Sequence, residues 1–194
     1  MNLKTALTSC AFLILAACAS TAFQSTWKSP EASRVPLKGK KIVVIVPKNV
    51  PKSQKTSMEA AVSDELKKAG AAAVAAFQEL APNATIEEAK AKLARDGFDA
   101  AFIVHATNKE SEISSPAAGM SIGMVGPYGG VSVGTPTVTF DTKLYIEIIV
   151  YAVKADKIAW SGLSVTTNPK DIESLSRDLT YAALHEMQMS GLLE

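Results

Sequence analysis

Five consecutive residues, Ile42-Val43-Val44-Ile45-Val46, are all β-branched. A strand with one face in water alternates apolar and polar side chains. This run does not alternate, so it requires a sheet covered on both faces and predicts a central strand. Gly39-Lys40-Lys41 precede it and Pro47 closes it. The spacing downstream predicts a helix over 53–69, where Thr56 and Glu59 stand at capping-box separation, Met58, Val62, Leu66 and Ala69 recur on one face, and Gly70 ends the element. Ala71 to Phe77 reads as a short strand. Thr85-Ile86-Glu87-Glu88 is a second capping box, opening a helix with Ile86, Ala89 and Leu93 on its apolar face and Gly97 as its stop, and Phe98 to Ala106 gives another buried strand.

Past residue 106 the pattern changes. Residues 137–153 predict a long strand with Leu144, Ile146, Ile148, Val150 and Ala152 on one face and Tyr145, Glu147, Ile149, Tyr151 and Val153 on the other. A tight turn at Lys154 to Lys157 returns the chain into Ile158-Ala159-Trp160-Ser161-Gly162 as a hairpin. Asn168-Pro169 predicts a helix start, followed by Ile172, Leu175, Leu179, Ala182, Ala183 and Met187 at helical spacing up to Gly191. The expected fold class is α/β: a mixed sheet of about five strands in the order βαβαβ-ββα, with helices packed on its faces.

The N-terminus carries an address rather than a fold. After Met1 to Lys4, an apolar run from Ala6 to Ala17 is too short to cross a hydrocarbon core of about 30 Å as a helix, and it reads as a secretory signal segment. The run ends Leu15-Ala16-Ala17-Cys18, the pattern of a bacterial lipobox, which makes Cys18 the expected lipidation site and residues 1–17 the removed signal peptide. The alternative is an ordinary signal peptide cut near Ala17 or Ala22 with Cys18 left free. Cys10 leaves with the signal, so of two cysteines only Cys18 remains and no disulfide forms. Two or three acyl chains at about 0.8 kcal/mol per buried methylene hold a protein on a bilayer almost irreversibly. Residues 18–39, rich in serine with Pro30 and Pro36, read as a lipidated N-terminus and tether, and 40–194 as the folded domain. Within the tether, Trp27 is expected to pack back onto the domain or the lipid interface.

The formal net charge of +1 conceals a division: residues 28–55 carry eight basic side chains against Glu31 alone, while 56–194 carry an excess of seven acids. A basic stretch next to the N-terminus suits an anionic surface; the plainer reading is a solvated loop and strand edges. A second unusual segment runs from Ile113 to Phe140, 28 residues with no charge, holding six of the eleven glycines and three prolines. So long a connection works or is disordered. Met120, Ile122, Met124, Val125 and Tyr128 make it an apolar, methionine-bearing patch, the candidate contact with a protein partner or the membrane; the plainer reading is a loop packed loosely over the sheet. It lacks the G-x-x-x-x-G-K pattern of a phosphate loop.

Candidate chemistry is sparse. His105 and His185 read as hydrogen-bonded core or surface histidines, Asp96 and Asp99 as turn and cap residues, and Tyr145, Glu147 and Tyr151 as one strand face that lines a polar groove or faces solvent. No metal, cofactor or catalytic residue is expected. Nucleic acid is disfavoured by the lack of net basicity and the few aromatics.

The lipobox, the run Ser25-Thr26-Trp27-Lys28-Ser29-Pro30, the Lys40–Val46 strand, Gly97-Phe98-Asp99-Ala100 and Asp156-Lys157-Ile158-Ala159-Trp160-Ser161-Gly162 together resemble a family of proteobacterial outer-membrane lipoproteins over nearly the whole chain. The domain is similar to the α/β domains of the TolB N-terminus, of LpoB and of CsgG. None of these is an enzyme, so the resemblance implies docking or assembly. In Gram-negative lipoproteins Ala19, where a retention aspartate would stand, implies transport to the outer membrane with the domain facing the periplasm. The expected protein is a non-catalytic interaction or assembly module, anchored through its lipid, with an envelope protein as partner and a homo-oligomer left open. The alternative is a periplasmic small-ligand binder or hydrolase with a pocket near 113–140.

Overall fold

The computed structural model describes residues 20–47, 50–114 and 139–194, with the side chains of 20, 108–114 and 139–141 left aside. Cys18 and the patch Met120, Ile122, Met124, Val125 and Tyr128 lie outside the described residues. The elements run β1 (Ser20–Lys28), β2 (Lys41–Ile45), α1 (Lys52–Lys68), β3 (Ala72–Ala75), α2 (Ala76–Glu79), α3 (Ile86–Arg95), β4 (Ala100–Ser114), β5 (Thr139–Ala152), β6 (Lys157–Thr167) and α4 (Ile172–Met189). They build a mixed six-stranded sheet in the order β1-β6-β5-β4-β2-β3. Strands β3, β2 and β4 are parallel, and β4, β5, β6 and β1 antiparallel.

The β-branched run sits where its composition demands, between β4 and β3. Val44 belongs to the core under α1 and α4, and Val43 to a second core under α3, both with no exposure. Burying each contributes roughly 1.5–3 kcal/mol. The larger core joins Phe102, Val104, Ile146, Ile148 and Trp160 of the sheet to Val62 and Leu66 of α1 and Leu175, Leu179 and Ala183 of α4. The smaller joins Val43, Ala101 and Val153 to Leu93 and Phe98. It covers the β2–β4 side and the base of β5, where Lys90 of α3 lies over the Tyr151 ring at 5.0 Å; among the described residues no helix lies over the rest of that face of β5, β6 and β1.

Three expectations are corrected. The segment read as a tether contains a strand: β1 pairs antiparallel with β6, adding a sixth strand to the expected five. Its Ser/Thr-rich sequence hid this. Thr21 and Thr166 share a hydroxyl hydrogen bond of 2.8 Å, and Phe23 packs edge-on against Trp160 at 5.6 Å over Gly162, where a Cβ would stand 2.5 Å from the indole. Thr56 and Glu59 form no capping box. Helix α1 starts at Lys52 after Pro51, with no side-chain cap, and the Glu59 carboxylate is fully buried. Asn168 does not cap α4. Asp171 does, accepting from Ser174 N–H at 2.6 Å, while Asn168 takes a left-handed φ of 51° and bonds both backbone groups of Thr142. The Thr85–Glu88 capping box forms as expected.

Candidate functional site: the two ends of the sheet

Strand register defines two ends. Ser20 lies opposite Thr167, which lies opposite Lys143, which lies opposite Glu110. Seven residues away along β5 and β6, Lys28 lies opposite Trp160, then Val150, then Phe102. At about 3.3 Å per residue the two rows are some 23 Å apart.

At the Ser20 end, β4 and β5 continue together as a ribbon through four further pairs, Ser111↔Thr142 to Ser114↔Thr139, a reach of about 13 Å beyond the other described strands, with Asn168 still bonded to Thr142. The uncharged connection leaves and re-enters the sheet at the tip of this ribbon. Cys18 precedes Ser20 by two residues, a span of at most about 7 Å. The described residues that lead to the lipidation candidate and to the apolar patch, Ser20 on one side and Ser114 and Thr139 on the other, therefore lie at the same end of the sheet. Neither attachment could be read from local sequence, because β1 carried no strand signal and the shared end follows from the register of four strands.

At the Lys28 end, the segment from Ser29 to Lys40 and residues 191–194 fold over the helical face of the sheet. Val35 N–H donates to the Leu192 carbonyl at 2.9 Å, Glu194 N–H to the Val35 carbonyl at 3.3 Å, and Arg34 Nε to the Leu193 carbonyl at 3.1 Å. Beneath them lies a cavity of ≈ 320 Å³ whose walls include Leu37, Ile42, Phe102, Leu184, Leu192 and Leu193. This apolar cavity is at the base of β4 and β5, roughly 43 Å of strand from Ile113.

Two carboxylates fasten β2. At its tip, Glu59 accepts from Val46 N–H at 3.0 Å and from Phe77 N–H at 3.0 Å, and pairs with Lys55, whose ammonium also reaches the Val46 carbonyl at 2.7 Å. At its base, on the cavity rim, Asp99 accepts from Lys41 N–H at 3.0 Å and stands 3.6 Å from both the Lys40 and Lys154 ammonium groups. Burial pushes the Asp99 carboxyl upward, but the Lys41 N–H and the two ammonium groups outweigh it and hold the group below the usual aspartate range. Nearby, Glu31 pairs with Lys157 at 2.6 Å.

The remaining candidates do not converge. His105 lies on the uncovered sheet face, 3.8 Å from Glu147, and His185 is exposed on α4 against the opposite face. Tyr145, Glu147, Ile149 and Tyr151 share one face as the alternation predicts; Tyr151 packs against the smaller core beneath Lys90 of α3 and donates its hydroxyl to Asp156 in the β5–β6 turn. Asp96 is the C-cap of α3, paired with Lys92 and Arg95. Trp27 is half-exposed in β1, opposite Ser161. Among the described residues, no three His, Cys, Asp or Glu side chains gather at metal-binding distance, and no helix is long and apolar enough to cross a membrane. The basic stretch is also redistributed. Lys28, Arg34, Lys38, Lys40 and Lys41 gather at the Lys28 end, and Lys52 and Lys55 lie near the tip of β2, so proximity to the N-terminus in sequence does not place the stretch beside Ser20.

No family model matches the chain, and no curated protein does. Solved structures of bacterial proteins do. The PelC dodecamer from Paraburkholderia phytofirmans is 12% identical, with 82% of this chain and 96% of that one covered and a TM-score of 0.46. Lipoprotein GNA1162 from Neisseria meningitidis is 16% identical, with 77% and 99% covered and a TM-score of 0.42.

Proposed function

We propose that the protein is an outer-membrane lipoprotein, acylated at Cys18, whose α/β domain stands in the periplasm as a non-catalytic interaction or assembly module. The observation that carries this reading is the shared end: the sheet begins two residues after Cys18, and the β4–β5 ribbon runs out at the same end. With β1 in the sheet, almost nothing separates acyl chains on Cys18 from the folded domain. The module sits against its membrane instead of swinging on a long linker, and its partner is another envelope component within reach of that surface. Met120, Ile122, Met124, Val125 and Tyr128, carried by a connection with no charge, supply an apolar contact to the partner or to the lipid.

Fractionation of cells expressing the wild type and Cys18→Ala tests the anchor. The wild type is expected in the outer membrane with the added mass of a diacylglyceryl group, and the variant in the soluble periplasm. Recovery of Cys18→Ala in the outer membrane would overturn lipidation as the anchor.

A further inference from the structure

The interior is not evenly filled. At the β1–β6 seam packing is so close that a single methyl on Gly162 would collide with Trp160 and Phe23. A few residues along the same strand, Ala159 forms part of the wall of the ≈ 320 Å³ cavity. Protein interiors rarely leave such a space, and an apolar space of this size suits an apolar occupant better than water. At about 30 Å³ for each group the size of a water molecule, it has room for about ten.

Charge is confined to the rim. Lys40 and Lys154 both stand at 3.6 Å from one Asp99 oxygen, beyond hydrogen-bond distance, and that carboxylate is already engaged by Lys41 N–H. The charged lining residues are Glu31, Lys40 and Asp99; with Lys154, on the exposed turn beside the lining residue Ala155, and Lys157, paired with Glu31, three ammonium groups meet two carboxylates around the mouth. The cover is thin: the Ser29–Lys40 segment and the C-terminal residues are tied by a few backbone bonds and one parallel bridge, Val35↔Leu193.

We infer that this cavity is a binding site for a single-chain anionic amphiphile, its hydrocarbon of about ten carbons lying against Leu37, Ile42, Phe102 and Leu184 and its carboxylate at the mouth beside Lys40 and Lys154. The inference does not depend on how the chain is anchored, since the cavity lies at the end away from Ser20.

The test uses the full chain in lipid nanodiscs, titrated calorimetrically with decanoate and with decan-1-ol against empty nanodiscs. Saturable binding of one decanoate per chain is expected, tighter than the alcohol. Leu184→Trp and Ala159→Phe, which fill the cavity from α4 and from β6, are each expected to weaken decanoate at least tenfold with thermal unfolding unchanged. Lys40→Ala is expected to weaken decanoate several-fold and leave the alcohol as it was. No saturable heat above the empty nanodiscs, or undiminished decanoate binding in both filled variants that remain folded, would overturn the site. Equal wild-type affinity for acid and alcohol would overturn the anionic head group.

Discussion

At the Ser20 end β4 and β5 run on as a ribbon that no other described residue covers beyond Asn168, whereas at the Lys28 end the 29–40 segment, the last turn of α4 and residues 191–194 close over the strands and leave a cavity beneath. One strand, β2, shows the contrast in miniature. Both its termini are held by a carboxylate from another element, but Glu59 at the tip has no exposure and three partners, while the Asp99 side chain at the base keeps about a quarter of its surface in water. The same chemical device therefore makes an enclosed joint in one place and a hydrated rim in the other. What separates them is how completely the polar group is enclosed: the Glu59 carboxylate is sealed from water, and the Asp99 carboxylate is shared and partly wet.

Breaking the joint gives the largest expected effect. Glu59→Ala leaves the buried Val46 N–H and the part-buried Phe77 N–H without their acceptor and the Lys55 ammonium with the Val46 carbonyl alone, and is expected to lower stability by about 3–5 kcal/mol, measured by denaturant unfolding. Next in size, Gly162→Ala forces a methyl between Trp160 and Phe23 and is expected to lose about 1–3 kcal/mol and to raise hydrogen exchange along β1. The larger Ala159→Phe, placed against the cavity, is expected to leave unfolding unchanged, and an equal loss at both positions would erase the packing contrast.

At the base of β2, Asp99→Asn is expected to lose about 1–2 kcal/mol near neutral pH. Because the folded state lowers the Asp99 carboxyl below its unfolded value, its contribution is present above about pH 4 and is lost as pH falls through the folded value. The gap between wild type and variant should therefore close on acidification, which stability curves at pH 7, 5 and 3 will show. The smallest effect belongs to Thr85→Ala, about 1 kcal/mol by thermal unfolding, through loss of the α3 cap.

Much of the fold could be read locally. The Ile42–Val46 run declared a strand buried on both faces, the Thr85 box and Gly97 bounded α3, and the alternation in β5 assigned its two faces correctly. What failed was always decided from a distance. Glu59 has the spacing of a capping residue, yet the donors that claim it lie on β2 and α2. Asn168 looks like a helix cap until Thr142, on another strand, offers both its backbone groups. The hydroxyl-rich β1 becomes a strand only because β6 presents Thr166, Trp160 and Gly162 to it. Of the candidate site, Cys18 and the Met120–Tyr128 patch came from sequence, and their common end came only from strand register. The cavity had no sequence signal, since its walls come from residues 31 to 193.

The central claim, that the Ser20 end faces the bilayer, is tested by paired spin labels on the lipidated chain in vesicles doped with a nickel-chelating lipid. Lys170→Cys places a label just past β6 at the Ser20 end, and Lys154→Cys places one on the exposed turn at the Lys28 end, the length of β6 away, about 33 Å. Strong relaxation by the nickel at position 170 and little at 154 is the predicted result. Equal relaxation at both, or the reverse order, would contradict it.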